Sequence, residues 1–310
     1  MTGRLVAVVG PTAAGKTALA IRIAEALGGE IVSTDSQQVY RGMDIGTGKA
    51  TLQERAAVPH HLLDIVDPDE PMTAARLIAL ADQAIAGILA RGRAVVTCGG
   101  TGLYYRALIH GLFEGPGAEP ELRARLEAEA ETHGTETLWA RLSAVDPEAA
   151  RKIDRRDRVR TIRALEVYEL TGVPISQHQR AHDFKTVPPR YDVLGIGLSP
   201  GRDELHRRID ARVDQMIEMG LVEEVRGLIA RGYSPGLRAF SAIGYREICA
   251  FLQGGVSRAD AVLKIKQASR RYARRQLTWF RSEPTVTWYK SPADVDLGRV
   301  IAWWKQPGRA

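Results

Sequence analysis

The chain has 310 residues, 45% of them apolar and 26% charged, which suffices to bury a full core and to carry more than one lobe. No apolar run reaches the roughly 18 residues of a membrane span, and the two cysteines, Cys98 and Cys249, have no CxxC or Cys/His spacing. A disulfide framework and a zinc site are thereby excluded and a reducing, cytoplasmic setting is expected; the net charge of +6 points to an anionic partner.

In chain order, Leu5–Val9 reads as a strand, because it runs directly into a glycine loop rather than into a leader's cleavage site. Lys16–Leu27 is expected to be a helix closed by Gly28 and Gly29, and Ile31–Thr34 a second strand. Leu77–Ala90 carries helical apolar spacing, and Ala94–Cys98 is a buried-type strand. Gly and Pro crowd residues 110–120, after which the pattern is helical to about Arg180. Tyr191–Leu198 again reads as a strand, and Asp203–Met219 puts Leu205, Ile209, Val213, Met216 and Ile217 on one helical face before Gly220. Strand–helix alternation implies an α/β fold, a P-loop NTPase-like parallel sheet flanked by helices. The expected organisation is a core in two parts, 1–112 and 188–310, around an all-helical insertion at 113–187. The tail from Ser291 carries little signal.

Gly10, Pro11, Thr12, Ala13, Ala14, Gly15, Lys16 and Thr17 spell GPTAAGKT, the phosphate-loop pattern in its strand-to-helix context. Backbone amides and a helix N-terminus would hold phosphate oxygens, Lys16 would add a charge, and Thr17 would offer its hydroxyl to Mg²⁺. No apolar strand ends in the acidic residue that ATP-hydrolysing relatives of this loop use. Leu62-Leu63-Asp64 is a short candidate, and the stretch after Cys98 is a second glycine turn, GGTG. Transfer to an acceptor is favoured over hydrolysis. Asp35, directly after a strand, falls in the usual ligand crevice and is a candidate general base or substrate anchor, or a turn cap. Thr101 would approach the same phosphates. Two segments suit a polyanion: Arg151–Arg163, with seven basic residues, and Ala268–Arg281, with Arg270, Arg271, Arg274, Arg275 and Arg281 beside Tyr272, Trp279 and Phe280.

These residues resemble the tRNA dimethylallyltransferase family. GPTAAGKT, DSQQVYRGMDIGTGK, PHHLLDIVDP, GGTGLY, DRVRTIRALEVYELTGVPIS, RIDARVDQMIEMGLVEEV, SAIGYREI and RRYARRQLTWFR appear in family order across most of the chain. The resemblance implies transfer of a dimethylallyl group from its diphosphate to N6 of adenine 37, beside the anticodon, in tRNAs reading codons that begin with U. It implies Mg²⁺, a monomer, and an inserted helical lobe that clasps the anticodon stem. By motif position Asp35 would hold or deprotonate N6, Thr101 would orient the reacting centre, and Lys16 and Arg208 would face the diphosphate, with Arg212 the less favoured arginine. tRNA contacts would fall on Asp35, Ser36, Gln37, Gln38, Thr101, Arg123, Val159, Arg160, Thr161, Ile162 and Arg163. They would continue at Ser241, Ala242, Ile243, Gly244, Tyr245 and Arg246, and at Arg274, Arg275, Gln276, Trp279 and Arg281. The chain departs from the family's IGTAKP at Ile45–Ala50, IGTGKA, and from I-H-P-N-D at Ile153–Asp157, IDRRD. The competing readings are a prenyltransferase for free adenine nucleotides, a small-molecule P-loop kinase, and a nucleotide-gated RNA-binding module without catalysis.

Overall fold

The structure is a computed structural model that describes residues 3–113, 115–184 and 186–306. Short valine-rich segments become central strands when both sheet faces are covered, since only then is an unbroken apolar run favourable. β1 (Arg4–Val9) is such a run, with Leu5 to Val8 wholly buried. It passes through the glycine loop into α1 (Lys16–Leu27), which Gly28 ends in the left-handed conformation. β2 (Glu30–Ser33), α2 (Leu52–Ala57), β3 (His60–His61), α3 (Ala74–Ala90), β4 (Val95–Gly99) and α4 (Gly102–His110) follow.

Five helices come next: α5 (Pro120–His133), α6 (Thr135–Val145), α7 (Pro147–Lys152), α8 (Arg158–Thr171) and α9 (Ile175–Ala181). The chain then returns to the sheet with β5 (Asp192–Leu198), α10 (Arg202–Glu218), α11 (Leu221–Ala230), α12 (Tyr245–Leu252), α13 (Arg258–Phe280), β6 (Val286–Tyr289) and α14 (Leu297–Lys305). The strands lie in the order β3-β2-β4-β1-β5-β6, every pairing parallel. The carboxyl ends of β1, β2, β4 and β5 therefore share one edge, and the segments after them are brought together there.

Two compact units result: one runs to Ile109 and resumes at Pro189, the other is His110–Pro188. In the first, Val6, Val8, Leu19, Ile23, Val96, Ile196 and Leu198 form a core against which Trp303 and Trp304 of α14 pack. The tail from Ser291, uninformative as sequence, is thus a covering layer. Among the described residues no helix is long and apolar enough to cross a membrane.

The helical unit packs Leu126, Leu138, Leu142, Ile162, Leu165 and Val167 into its own core. Glu166 is wholly buried beside that core. It accepts from Arg123 at 2.7 Å, from Arg163 at 2.7 Å and from the Glu119 amide at 2.9 Å. The two guanidinium groups hold its carboxyl below the usual carboxylate range although burial alone would raise it. Removing the carboxylate strands two partly buried arginines, so Glu166→Ala should destabilise this unit by about 2 kcal/mol. Hydrogen exchange of the slowest α5 and α8 amides should accelerate by roughly thirty-fold; unchanged exchange would refute the assignment.

Candidate active site

The phosphate loop takes its shape from its neighbours. Gly10 has φ +139°, and a Cβ there would stand 2.6 Å from the Leu198 carbonyl oxygen, so the loop can leave β1 close to β5 only as glycine. Ala13 adopts φ 61°, and the Ala14 amide closes on Pro11 O at 3.3 Å. The Thr12 amide is taken by Gln276 Oε1 at 2.9 Å, and Gln276 Nε2 donates to Gly100 O at 2.8 Å. One buried amide on α13 therefore ties the phosphate loop to the glycine turn after β4. The amides of the first turn of α1 have no helical partner and point to where an anion would sit.

That position opens on a half-open cavity of ≈ 330 Å³, lined by Thr12, Lys16, Thr17, Asp35, Arg212 and Tyr272, among others. Lys16 Nζ donates to Pro11 O at 2.8 Å. Burial lowers its pKa to about 8; Cys98 and Asp35 oppose that shift and Arg212 adds to it. Burial likewise lowers Arg212, with Asp35 opposing. Among the described residues neither cation has an ion pair. Two desolvated cations facing one space form a strong anion site. Asp35 Oδ1 accepts from the amides of Gln37 at 2.8 Å and Gln38 at 3.4 Å, a turn that orients the carboxylate, while Oδ2 makes no hydrogen bond among the described residues. Gln37 also lines the cavity, and its Oε1 is a buried acceptor without a partner.

Several sequence expectations are corrected here. Arg208 is not among the residues lining the cavity; its Nε donates to Glu204, one turn earlier on α10, at 2.7 Å. Arg212, one turn further on, faces the cavity instead. Thr101 is not among the cavity-lining residues, but its hydroxyl donates to Ser36 Oγ at 3.4 Å and interacts with the Tyr272 hydroxyl, and both partners line the cavity. Asp64, in the short candidate strand end, is held by Lys49 and Arg55. Lys49, whose role the IGTGKA departure left open, is buried and bonded to Asp44, Asp64 and Tyr40 O.

The expected RNA contacts also divide. Within Val159–Arg163 only Val159 and Arg160 project; Thr161 and Ile162 are buried in the core, and Arg163, like Arg123, is engaged by Glu166. Ser241, Ala242 and Ile243 line the cavity, and Gly244 begins α12. Tyr245 is wholly buried with its hydroxyl on Glu224, and exposed Arg246 leans on Glu247. On α13, Phe280 is core and Gln276 is spent on the bridge, whereas Arg274, Arg275 and Arg281 are exposed. Arg271, Arg274, Arg275, Thr278 and Trp279 line a second, open concavity. Trp279 is its wall rather than a free stacking platform, because Arg106 lies 4.2 Å from its ring centroid and Gly102 beneath it. Arg275 borders both cavities.

A P-loop opening on a half-open cavity, with two cations that form no ion pair among the described residues, places the chain in the P-loop class. The family model described as IPP transferase matches residues 38–283, and that described as Isopentenyl transferase matches residues 3–64. A tRNA dimethylallyltransferase of Anaeromyxobacter dehalogenans is 55% identical over 94% of this chain and 97% of its own length. One of Geobacter sulfurreducens is 50% identical over 96% of each. The crystal structure of a tRNA isopentenylpyrophosphate transferase from Bacillus halodurans, 44% identical, superposes with a TM-score of 0.69 over 97% of this chain and 94% of that one. A eukaryotic dimethylallyltransferase, solved acting on tRNA, gives 0.76 at 28% identity over 90% of this chain and 70% of that one. The chain belongs to the tRNA dimethylallyltransferase family, and it is a prenyltransferase.

Since Lys16 loses its proton near pH 8 when the site is empty, and an anion binds the protonated form, affinity for inorganic diphosphate should fall as pH rises above about 8. Lys16→Arg keeps the charge and should flatten this dependence. Calorimetric titration of both proteins from pH 7 to 10 checks it; identical slopes would refute the role of the lysine.

Proposed function

We propose that the enzyme transfers the dimethylallyl group of dimethylallyl diphosphate to N6 of adenosine 37 in tRNAs reading codons that begin with U. The observation that carries this reading is the half-open cavity in which Lys16, Arg212, Asp35 and Gln37 converge, a volume within the range for small-molecule sites, about 300–1,000 Å³. Bond formation between N6 and the allylic carbon breaks the carbon–oxygen bond, and the electron pair departs with diphosphate. Positive charge grows on the prenyl carbon and negative charge on the leaving group. Lys16, Arg212 and the amides of the first α1 turn stabilise the latter.

The adenine amine is a weak nucleophile because its lone pair is delocalised, so positioning supplies more than basicity does. Gln37 Oε1, an acceptor without a partner, suits an N6–H donor, and Asp35 Oδ2 takes the proton that N6 loses. Thr101 acts through Ser36 and Tyr272. An adenine reaches such a site only when flipped from its stack.

The donor set fits Mg²⁺ held mainly by diphosphate oxygens, with Thr17 as the protein ligand. Among the described residues there is no cluster of three or more His, Cys, Asp or Glu that would cage it, and Mg²⁺ characteristically keeps substrate and water ligands. When bound, it neutralises diphosphate charge. The RNA side of the reading rests on Val159, Arg160 and the concavity of Arg271, Arg274 and Arg275, which Arg275 connects to the reaction cavity. The enzyme acts as a monomer in the cytoplasm, on an anticodon stem-loop.

Labelled dimethylallyl diphosphate, offered with Mg²⁺ to an anticodon stem-loop, to AMP and to no acceptor, should label the stem-loop alone; preference for AMP would overturn the RNA reading. Asp35→Ala should lower kcat by about 10²–10⁴ while tRNA affinity stays within a few-fold. Arg212→Ala should raise the KM for dimethylallyl diphosphate well over tenfold, and Arg208→Ala should leave it within twofold; the reverse order would return the role to Arg208. Replacing Arg274 and Arg275 together by alanine should reduce the salt slope of tRNA binding by about 1.5–2, measured by filter binding.

A further inference from the structure

The guanidinium of Arg212 rests on backbone rather than on a counter-charge. A Cβ on Gly48 would lie 1.6 Å from its Nη2, 2.7 Å from Cζ and 3.3 Å from Nε. The arginine therefore occupies the space that any side chain at position 48 would fill. Gly48 sits at φ +58°, in a turn closed by its own amide on Ile45 O at 3.0 Å and by the Lys49 amide on Asp44 O at 3.0 Å.

That turn is seated from beneath with unusual care. The Glu224 carboxylate accepts three successive amides, Asp44 at 3.0 Å, Ile45 at 2.8 Å and Gly46 at 3.3 Å. The Tyr245 hydroxyl donates to Glu224 at 2.6 Å, and its ring lies so near Gly46 that a Cβ there would stand 2.4 Å from Cε2. From the sheet side, Gln38 accepts from Ser33 Oγ at 3.1 Å and donates to Gly48 O at 3.3 Å. Lys49 fastens the far end to Asp44 and Asp64 at 2.5 Å each and to Tyr40 O at 2.8 Å. Every one of these bonds orders the loop, and none of them engages Arg212 itself.

We infer that the Asp44–Lys49 turn, seated on Glu224 and Tyr245, is the positioning element for Arg212, and that Gly48 sets how deep the guanidinium stands in the cavity. An arginine with four rotatable side-chain bonds needs such a template to present a fixed fork, and without a paired carboxylate only packing can supply it. Tyr245 and Glu224 thus act on the diphosphate from outside the cavity, through the turn, and not through RNA. The inference rests on the reading of the cavity as the diphosphate site.

Gly48→Ala should raise the KM for dimethylallyl diphosphate at least fivefold, with the KM for tRNA and the salt slope of tRNA binding unchanged. Tyr245→Phe, which keeps the ring and removes the hydroxyl, should act in the same direction by two- to fivefold. The deciding measurement is Gly48→Ala in an Arg212→Ala background, where it should have no further effect on that KM, because its influence runs through the missing guanidinium. An effect of equal size in both backgrounds, or a diphosphate KM within twofold of the parent in the single variant, would overturn the inference. Should Arg212→Ala alone leave the diphosphate KM unchanged, the diphosphate reading itself fails, and the two failures are distinguishable.

Discussion

A lysine and an arginine share one desolvated cavity, and among the described residues neither forms an ion pair, although the Asp35 carboxylate is close enough to act on both. Taking a cation out of water is costly, and a folded chain tolerates two side by side only if the surrounding structure holds them there. Here β1 and α1 fix Lys16 through a loop whose first glycine abuts β5, and α10 delivers Arg212 from the opposite wall. The rest of the unit serves this placement: the parallel sheet brings the strand ends to one edge, Gln276 locks two of the loops together, and α14 covers the core behind α1. The charge imbalance of the empty protein is what a bound anion would relieve, and under the proposed function that anion is the diphosphate leaving group.

Much of the core was legible because local chemistry and long-range packing agree there. LVAVV and AVVTC are apolar without alternation, which is the signature of a strand covered on both faces, and Gly15 and Gly28 mark both ends of α1. The edge strands escaped for the complementary reason. His60–His61 is two residues long, and Val286–Tyr289 owes its extended form to β5 rather than to its own pattern.

The site was legible in its residue types and less so in its choices between neighbours. Arg208 and Arg212 are one helical turn apart and carry the same family motif. Yet Glu204, four residues before Arg208, supplies a helical ion-pair partner that marks Arg208 as the arginine with an acid of its own on the helix. Similarly, Thr161, Ile162 and Leu165 follow a helical stripe that argues for burial, as observed. By contrast, no spacing rule predicts that Tyr245 reaches Glu224, or that Gln276 spans two loops more than 150 residues earlier. Those bonds exist only once the sheet has closed.

The Gln276 bridge carries one more implication. Its helix, α13, shows arginines to solvent on one side and clasps the phosphate loop on the other. If RNA and diphosphate grip the two sides of this helix as proposed, any coupling that it carries between them is reciprocal. By whatever factor an occupied cavity stiffens the helix for RNA, bound RNA tightens the cavity by the same factor. Such a coupling favours neither order of arrival, because it acts on the two affinities equally.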